Sequence, residues 1–170
     1  SQCCTWSPNS PSGSRIACGG VDGVVYVWNM NKLHLTCMQI HPGVPVTTCK
    51  WSPDCARLAI AFKSGEVCVS NFPQGHTDAV TCCTHTDAVT CCTWSPDGKR
   101  LATTSADRSL RVWDVSGACA SKEGVGQLAN LRQYTMDDDG TSVYCAWSPN
   151  GARLLCIGLN CPVKYTERPE

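Results

Sequence analysis

The triplet Trp-Ser-Pro occurs four times in this chain, at Trp6, Trp51, Trp94 and Trp147, with spacings of 45, 43 and 53 residues. Each copy has the same sequel. Asn or Asp follows the proline, then a short turn, an arginine (Arg15, Arg57, Arg100, Arg153) and an apolar pair (Ile16-Ala17, Leu58-Ala59, Leu101-Ala102, Leu154-Leu155). Thirteen residues beyond the arginine stand Trp28, Ser70, Trp113 and Thr166, so the phase holds even where the second tryptophan is lost. A period of roughly 40 to 50 residues belongs to propellers, solenoids and arrays, in which each unit buries its apolar face against the next.

Within each period, short runs of Val, Thr, Ile, Leu and Cys are broken by Gly, Asp, Asn, Ser and Pro, the pattern of many short antiparallel strands. No segment carries a helical period. In the third repeat the strands read Ala88 to Trp94, Arg100 to Thr104 and Leu110 to Val115, joined by Ser95-Pro96-Asp97-Gly98 and Ser105-Ala106-Asp107-Arg108. Pro96 presets the backbone for a turn and Asp97-Gly98 closes it. The nonapeptide His-Thr-Asp-Ala-Val-Thr-Cys-Cys-Thr occurs twice in succession, at 76–84 and 85–93. The second copy leads into the repeat tryptophan Trp94. Without the first copy, the spacing from Trp51 to Trp94 would be too short for four strands, so Ala79 to Cys83 is expected to form an outer strand.

Fourteen basic residues balance fourteen acidic ones. The chain therefore lacks the positive excess that drives binding to phosphate backbones, and nucleic acid is not an expected partner. No apolar run approaches the roughly 20 residues that span a bilayer as a helix, so no membrane partner is expected either. Fifteen cysteines in 170 residues approach the density of a disulfide scaffold. Their positions argue otherwise. Cys4, Cys49, Cys92 and Cys145 each precede a repeat tryptophan by two residues, which on a strand puts sulfur and indole on one face. A position that recurs in every repeat is a packing position, where cysteine serves as a small buried hydrophobe. There is no Cys-x-x-Cys pair, and Cys3-Cys4, Cys82-Cys83 and Cys91-Cys92 point to opposite faces of their strands. Reduced, mostly buried thiols are the expectation, with some disulfides the main alternative. No metal and no cofactor is expected.

His85, Trp94-Ser95-Pro96-Asp97-Gly98, Asp107 and Trp113-Asp114 resemble the WD-repeat (WD40) family, and the likeness runs from Cys3 to Thr166. It implies an all-β propeller of about four blades and roughly fifteen strands, with repeats near 1–33, 34–75, 76–116 and 127–166 forming a single partial propeller. It also implies a buried hydrogen-bond network joining His85, Ser105 (or Thr103), Asp107 and Trp113, which serves as a staple of the fold and not as a catalytic set. The first repeat offers Asp22 and Trp28 in these columns, the second His41, Ser64 and Ser70, and the fourth Asn160 and Thr166, so the third blade is expected to be the best locked. The chain opens with Ser1 already close to a strand, and its last repeat lacks an outer strand. An open partial propeller cut from a longer ring is therefore expected, with a self-closed ring and a dimeric ring as alternatives.

The family resemblance implies a non-catalytic scaffold, intracellular and cytoplasmic, that binds protein or peptide partners on the propeller faces. A truncated segment without independent activity is the alternative. Further partners would be the remaining blades of a longer chain or a second copy of this one. In the family this chain resembles, the loops before each first strand and the turns after each second strand open on one face, which implies Lys63, Asp87, Arg108, Asp137, Asp138 and Asp139 as the candidate contacts, with Pro42 and Val44 beside them. A second alternative, an enzyme or calcium site, would have to use the acidic run Asp137-Asp138-Asp139, yet Gly140-Thr141-Ser142-Val143 supplies no further ligands at calcium-loop offsets.

Overall fold

The computed structural model describes residues 3–8, 14–72, 81–116, 128–135, 142–158 and 161–167. Among these, fifteen strands make four antiparallel sheets. The first sheet is β1 (Cys3–Trp6), β2 (Arg15–Gly19), β3 (Val24–Asn29) and β4 (His34–Gln39). β5 (Val46–Trp51), β6 (Arg57–Phe62), β7 (Glu66–Asn71) and β8 (Thr81–Thr84) make the second. The third is β9 (Val89–Trp94), β10 (Arg100–Ser105), β11 (Ser109–Asp114) and β12 (Ala129–Thr135), and the fourth is β13 (Ser142–Trp147), β14 (Arg153–Gly158) and β15 (Cys161–Glu167). Consecutive strands are neighbours in every sheet, so each is a simple meander. The first nonapeptide copy supplies β8, the outer strand of the second sheet, and the second copy supplies most of β9, the inner strand of the third.

The Trp-Ser-Pro-Asp motif has a direct physical reading. In the second sheet the Ser52 amide donates to the Arg57 carbonyl at 2.9 Å and the Arg57 amide donates to Ser52 Oγ at 2.9 Å. The Ser52 hydroxyl itself donates to Asp54, whose carboxylate also accepts the Ala56 amide at 3.0 Å. Ser95, Asp97 and Arg100 repeat this arrangement in the third sheet, and Ser148, Asn150 and Arg153 in the fourth. Serine is needed because one hydroxyl can accept from one strand while donating into the turn, and Asp or Asn because a short side-chain oxygen can cap the turn's amide. Gly98 and Gly151 close these turns at φ +69° and +67°, where a side chain would be strained.

The sheets stack in chain order, first on second, second on third, third on fourth, and the arc stays open. The second and third sheets are covered on both faces. Their central strands are accordingly buried almost residue by residue, β6 from Leu58 to Phe62 and β10 from Leu101 to Ser105, whereas β2 alternates between buried and half-buried. Leu58, Ile60, Phe62 and Cys68 pack toward Ala17, Val25 and Val27 of the first sheet, while Ala59, Ala61, Val67 and Val69 pack toward Cys92, Trp94, Leu101 and Trp113 of the third.

Cys49, Cys92 and Cys145 are buried as their column requires, but Cys4 is exposed and Trp6 is 58% exposed. This corrects the expectation of four equivalent cysteines. The tryptophan-bearing face of each later sheet lies against the sheet before it, and among the described residues no sheet covers that face of the first. The same cause leaves Trp28 38% exposed.

Candidate functional site

Two places in the arc gather polar side chains: the interior of the third sheet, and the rim formed by its loops with those of the second and first.

In the third sheet His85 sits just before β9 with its side chain fully buried. Its Nε2 lies 2.7 Å from Thr103 Oγ1 on β10, and its Nδ1 lies 2.9 Å from Ser109 Oγ on β11 and 3.3 Å from the Asp107 carboxylate in the intervening turn. The Trp113 indole N–H donates to the same Thr103 oxygen at 2.8 Å, and the Ser109 hydroxyl donates to Asp107 at 2.5 Å. These distances allow one consistent assignment of protons. Trp113 donates to Thr103, Thr103 to His85 Nε2, His85 Nδ1–H to Ser109, and Ser109 to Asp107, so each hydroxyl gives one hydrogen and accepts another.

The assignment needs a neutral imidazole. Burial lowers the His85 pKa to about 4, against the pull of Asp107, which keeps it neutral near pH 7. Burial alone would raise the Asp107 carboxyl. The Ser109 hydroxyl and the Thr86 and Ser109 amides donate to it and hold it well below the usual carboxylate range. Both His85 nitrogens are engaged and no part of the ring meets solvent, so no substrate atom can reach it.

Of the two hydroxyls the sequence offered for the centre, Ser105 and Thr103, it is Thr103 that meets both His85 and Trp113. Both project from one face of β10, but the ladder to β9 shifts register between Thr104 and Ser105. That shift takes the Ser105 hydroxyl to the Asp87 carbonyl at 2.9 Å, and its oxygen accepts the Asp107 amide at 3.1 Å. Ser109, Thr86 and Arg111 are additional members. Arg111 lies 3.8 Å from Asp107 and stacks 5.9 Å from the Trp113 ring centre. Their sequence signals were the two-residue offset from Asp107 to Ser109 and from Arg111 to Trp113.

The other sheets satisfy these columns differently. His41, the counterpart of His85, pairs with Glu66 at 2.9 Å. Asp22 is exposed and accepts from the Tyr26 hydroxyl at 3.2 Å. Asn160 lies outside the described residues.

The rim is made by the β2–β3, β6–β7 and β10–β11 turns and by the segments entering β5 and β9. Its backbone is tied from sheet to sheet. The Gly43 amide donates to the Asp22 carbonyl at 2.9 Å, Val46 to Gly20 at 3.0 Å and His85 to Gly65 at 2.9 Å. Gly65, at φ +94°, admits this contact because a Cβ there would meet the His85 and Asp87 carbonyls at 2.5 and 2.9 Å. Lys63, Asp87 and Arg108 are exposed on this rim together with Pro42, and Val44 is half-buried. The acidic run Asp137, Asp138 and Asp139 lies outside the described residues. On the opposite face, a cleft of about 330 Å³ runs between the Ser95–Asp97 turn and the Trp147–Gly151 turn. Ser95, Asp97 and Asn150 in its wall are already engaged in their hairpins.

Comparison with known proteins places this architecture. Residues 16–152 match the family described as IFT140 first beta-propeller, and residues 2–29 match the WD domain, G-beta repeat. The sequence is similar to WD repeat-containing protein 1 of Gallus gallus, 32% identical over 108 residues that make up 62% of this chain and 18% of that protein. It is similar to Target of rapamycin complex subunit LST8 of Bos taurus, 26% identical over 113 residues, 62% of this chain and 35% of that protein. Small ribosomal subunit protein RACK1 of Candida albicans is 30% identical over 112 residues, again 62% of this chain and 35% of that protein. The matches thus span 18 to 35% of the length of these relatives.

Proposed function

This chain belongs to the WD-repeat β-propeller family, and from that premise we propose that it is a non-catalytic scaffold binding protein or peptide partners on the rim that carries Lys63, Asp87 and Arg108. The observation that carries the reading is the combination of exposed side chains with a hydrogen-bonded backbone. Lys63, Asp87 and Arg108 are exposed, while the segments carrying Lys63 and Asp87 are joined across sheets by the His85–Gly65 bond. The Gly43–Asp22 and Val46–Gly20 bonds tie the first sheet to the second, and the Arg108 turn is held within its own sheet by the Ala106 amide on the Ala88 carbonyl at 2.8 Å. A surface fixed before binding loses little conformational entropy when a partner docks, which favours a recognition role. Two of the relatives are named as a complex subunit and a ribosomal subunit protein, which supports partner binding in general. The same reading places the chain in the cytoplasm, where its buried thiols would remain reduced. It also gives the open apolar face of the first sheet to a further blade, from a longer chain or from a second copy.

Peptides selected from a random display library for binding to the 170-residue chain provide the test. Lys63→Ala and Arg108→Ala are expected to weaken selected binders at least about tenfold, roughly 1.4 kcal/mol. Lys99→Ala, exposed on the opposite face, should leave them unchanged. Binders insensitive to both rim variants would overturn the assignment of the face.

A further inference from the structure

Cys4 on β1 and Cys18 on β2 stand directly opposite each other in the antiparallel ladder, between the pairs Cys3–Gly19 and Thr5–Ala17. Their sulfurs are 2.8 Å apart. Cys4 is exposed and Cys18 half-buried, on the outward face that also carries Trp6. Among the other close thiols of the described residues, Cys3 is 3.5 Å from Cys49, which is buried, Cys91 and Cys145 are both buried between the third and fourth sheets, and the directly opposed pairs Cys145–Cys156 and Cys68–Cys82 each include a buried cysteine. Directly opposed residues of neighbouring strands already lie within the Cα separation that a disulfide spans, so bridging Cys4 and Cys18 needs no movement of one sheet against another. Access to small oxidants adds a second distinction, because oxidation of thiols follows exposure as well as thiolate character.

We propose that, while no further blade covers the outward face of the first sheet, Cys4 and Cys18 form a peroxide-sensitive dithiol that closes to a disulfide clamping β1 to β2. The Cys4 thiolate attacks one oxygen of hydrogen peroxide, forming an S–O bond and releasing hydroxide, which leaves Cys4 as a sulfenic acid. The Cys18 sulfur then attacks the Cys4 sulfur. The S–S bond forms, the S–O bond breaks, and the Cys18 proton leaves with the departing oxygen as water. Two thiols and one peroxide thereby give one disulfide and two waters. Exposure fixes the roles, with Cys4 meeting the oxidant and Cys18 resolving it. Burial and the hydrogen bond to Cys4 push the Cys18 thiol up to about 11, so it retains its proton near neutral pH. The bridge has mechanical consequences because β1 is an edge strand, hydrogen-bonded among the described residues on one side only, to β2. Tying it down secures the strand whose other face carries Cys3 against Cys49 in the second sheet.

Trypsin separates the candidates cleanly. Cleavage after Arg15, Lys32 and Lys50 puts Cys3 and Cys4 on 1–15, Cys18 alone on 16–32, and Cys37 with Cys49 on 33–50. After treatment of the folded 170-residue chain with a few equivalents of hydrogen peroxide and blocking of residual thiols, 1–15 is expected linked to 16–32, with fragmentation placing the link on Cys4 and dithiothreitol reversing it. Cys3→Ser should retain the link. Cys4→Ser should abolish it, and Cys18→Ser should leave a Cys4 sulfenic acid that dimedone traps. A link from 1–15 to 33–50 in its place, or Cys4 still fully alkylated after peroxide, would overturn the proposal. The unaltered chain alone decides this, so a variant that fails to fold costs the test nothing.

Discussion

The indole N–H of Trp94 in the third sheet donates to the carbonyl oxygen of Lys50 in the second, 2.9 Å away. Trp147 makes the same bond one sheet further on, to Thr93 at 3.3 Å. In both cases the acceptor is the residue immediately before the preceding sheet's repeat tryptophan, so the repeated indole is an inter-sheet bolt as well as a core filler. Trp51 departs from the series. Its indole nitrogen is buried without a partner among the described residues, and its ring instead packs edge-on against Phe72 at 5.1 Å.

Trp94→Phe is therefore expected to cost more than Trp51→Phe. Both lose similar volume, but only the first strands the Lys50 carbonyl, while the second removes an unsatisfied donor. The difference should be about 2 kcal/mol, read from urea midpoints at constant m-value. Equal midpoints would show that the inter-sheet bond contributes nothing.

Thr103→Val keeps the shape of the side chain and removes the oxygen shared by His85 and Trp113. Two buried groups lose their partner, so a loss of about 2 to 4 kcal/mol is expected. Ser105→Ala should cost less, because it frees only turn-level bonds to Asp87 and Asp107. Thermal melts of the two variants settle the order.

Acid should weaken the third sheet through His85. Its folded pKa is lowered from 6.5 to about 4, so between those values the unfolded chain binds a proton that the folded chain refuses. Stability rises with pH wherever the unfolded state holds more protons. The contribution of His85 is thus complete above about pH 6.5 and is lost as pH falls toward about 4, with an upper size near 3 kcal/mol. Asp107, held below the usual carboxylate range, adds its own loss only below that window. Denaturant titrations at stepped pH should show this slope, and His85→Asn should flatten it.

Arg57→Lys tests the arginine column. The Arg57 guanidinium donates to the Val115 carbonyl at 2.7 Å and to the Gly98 carbonyl at 2.6 Å, and it lies 5.0 Å from the centre of the Trp94 ring. An ammonium cannot reproduce that fork and stack. A loss of about 1 to 2 kcal/mol is expected, visible as a lower melting temperature.

Much of this arrangement was legible in the sequence because it repeats. The phase from Trp to Arg to the second Trp located β1 to β3 and their counterparts, and the need for a fourth strand correctly assigned the first nonapeptide copy to an outer position, at Thr81–Thr84. What repetition could not supply was whatever depends on a neighbouring sheet. Cys4 shares its column with Cys49, Cys92 and Cys145 but lacks their cover. Arg57 marked the phase without revealing that its guanidinium reaches the third sheet. The choice of Thr103 over Ser105 turned on a register shift in one ladder, a feature that residue identity does not encode. The rim residues Lys63, Asp87 and Arg108 were placed by topology alone, and their role rests on the binding experiment.

The doubled nonapeptide separates what a segment is from what it becomes. Thr-Cys-Cys-Thr at 81–84 is the outer strand of the second sheet, and the same four residues at 90–93 line the inside of the third. Cys83 and its duplicate Cys92 even enter one core from opposite sides. Intrinsic preference is identical for the two copies, so it contributes nothing to the choice between these fates. The decision falls to the flanking chain, which differs on both sides: Phe72-Pro73-Gln74-Gly75 before and His85-Thr86 after the first copy, Cys82-Cys83-Thr84 before and Trp94-Ser95-Pro96 after the second. Here one stretch of chain has two destinations, and its address is written in its neighbours.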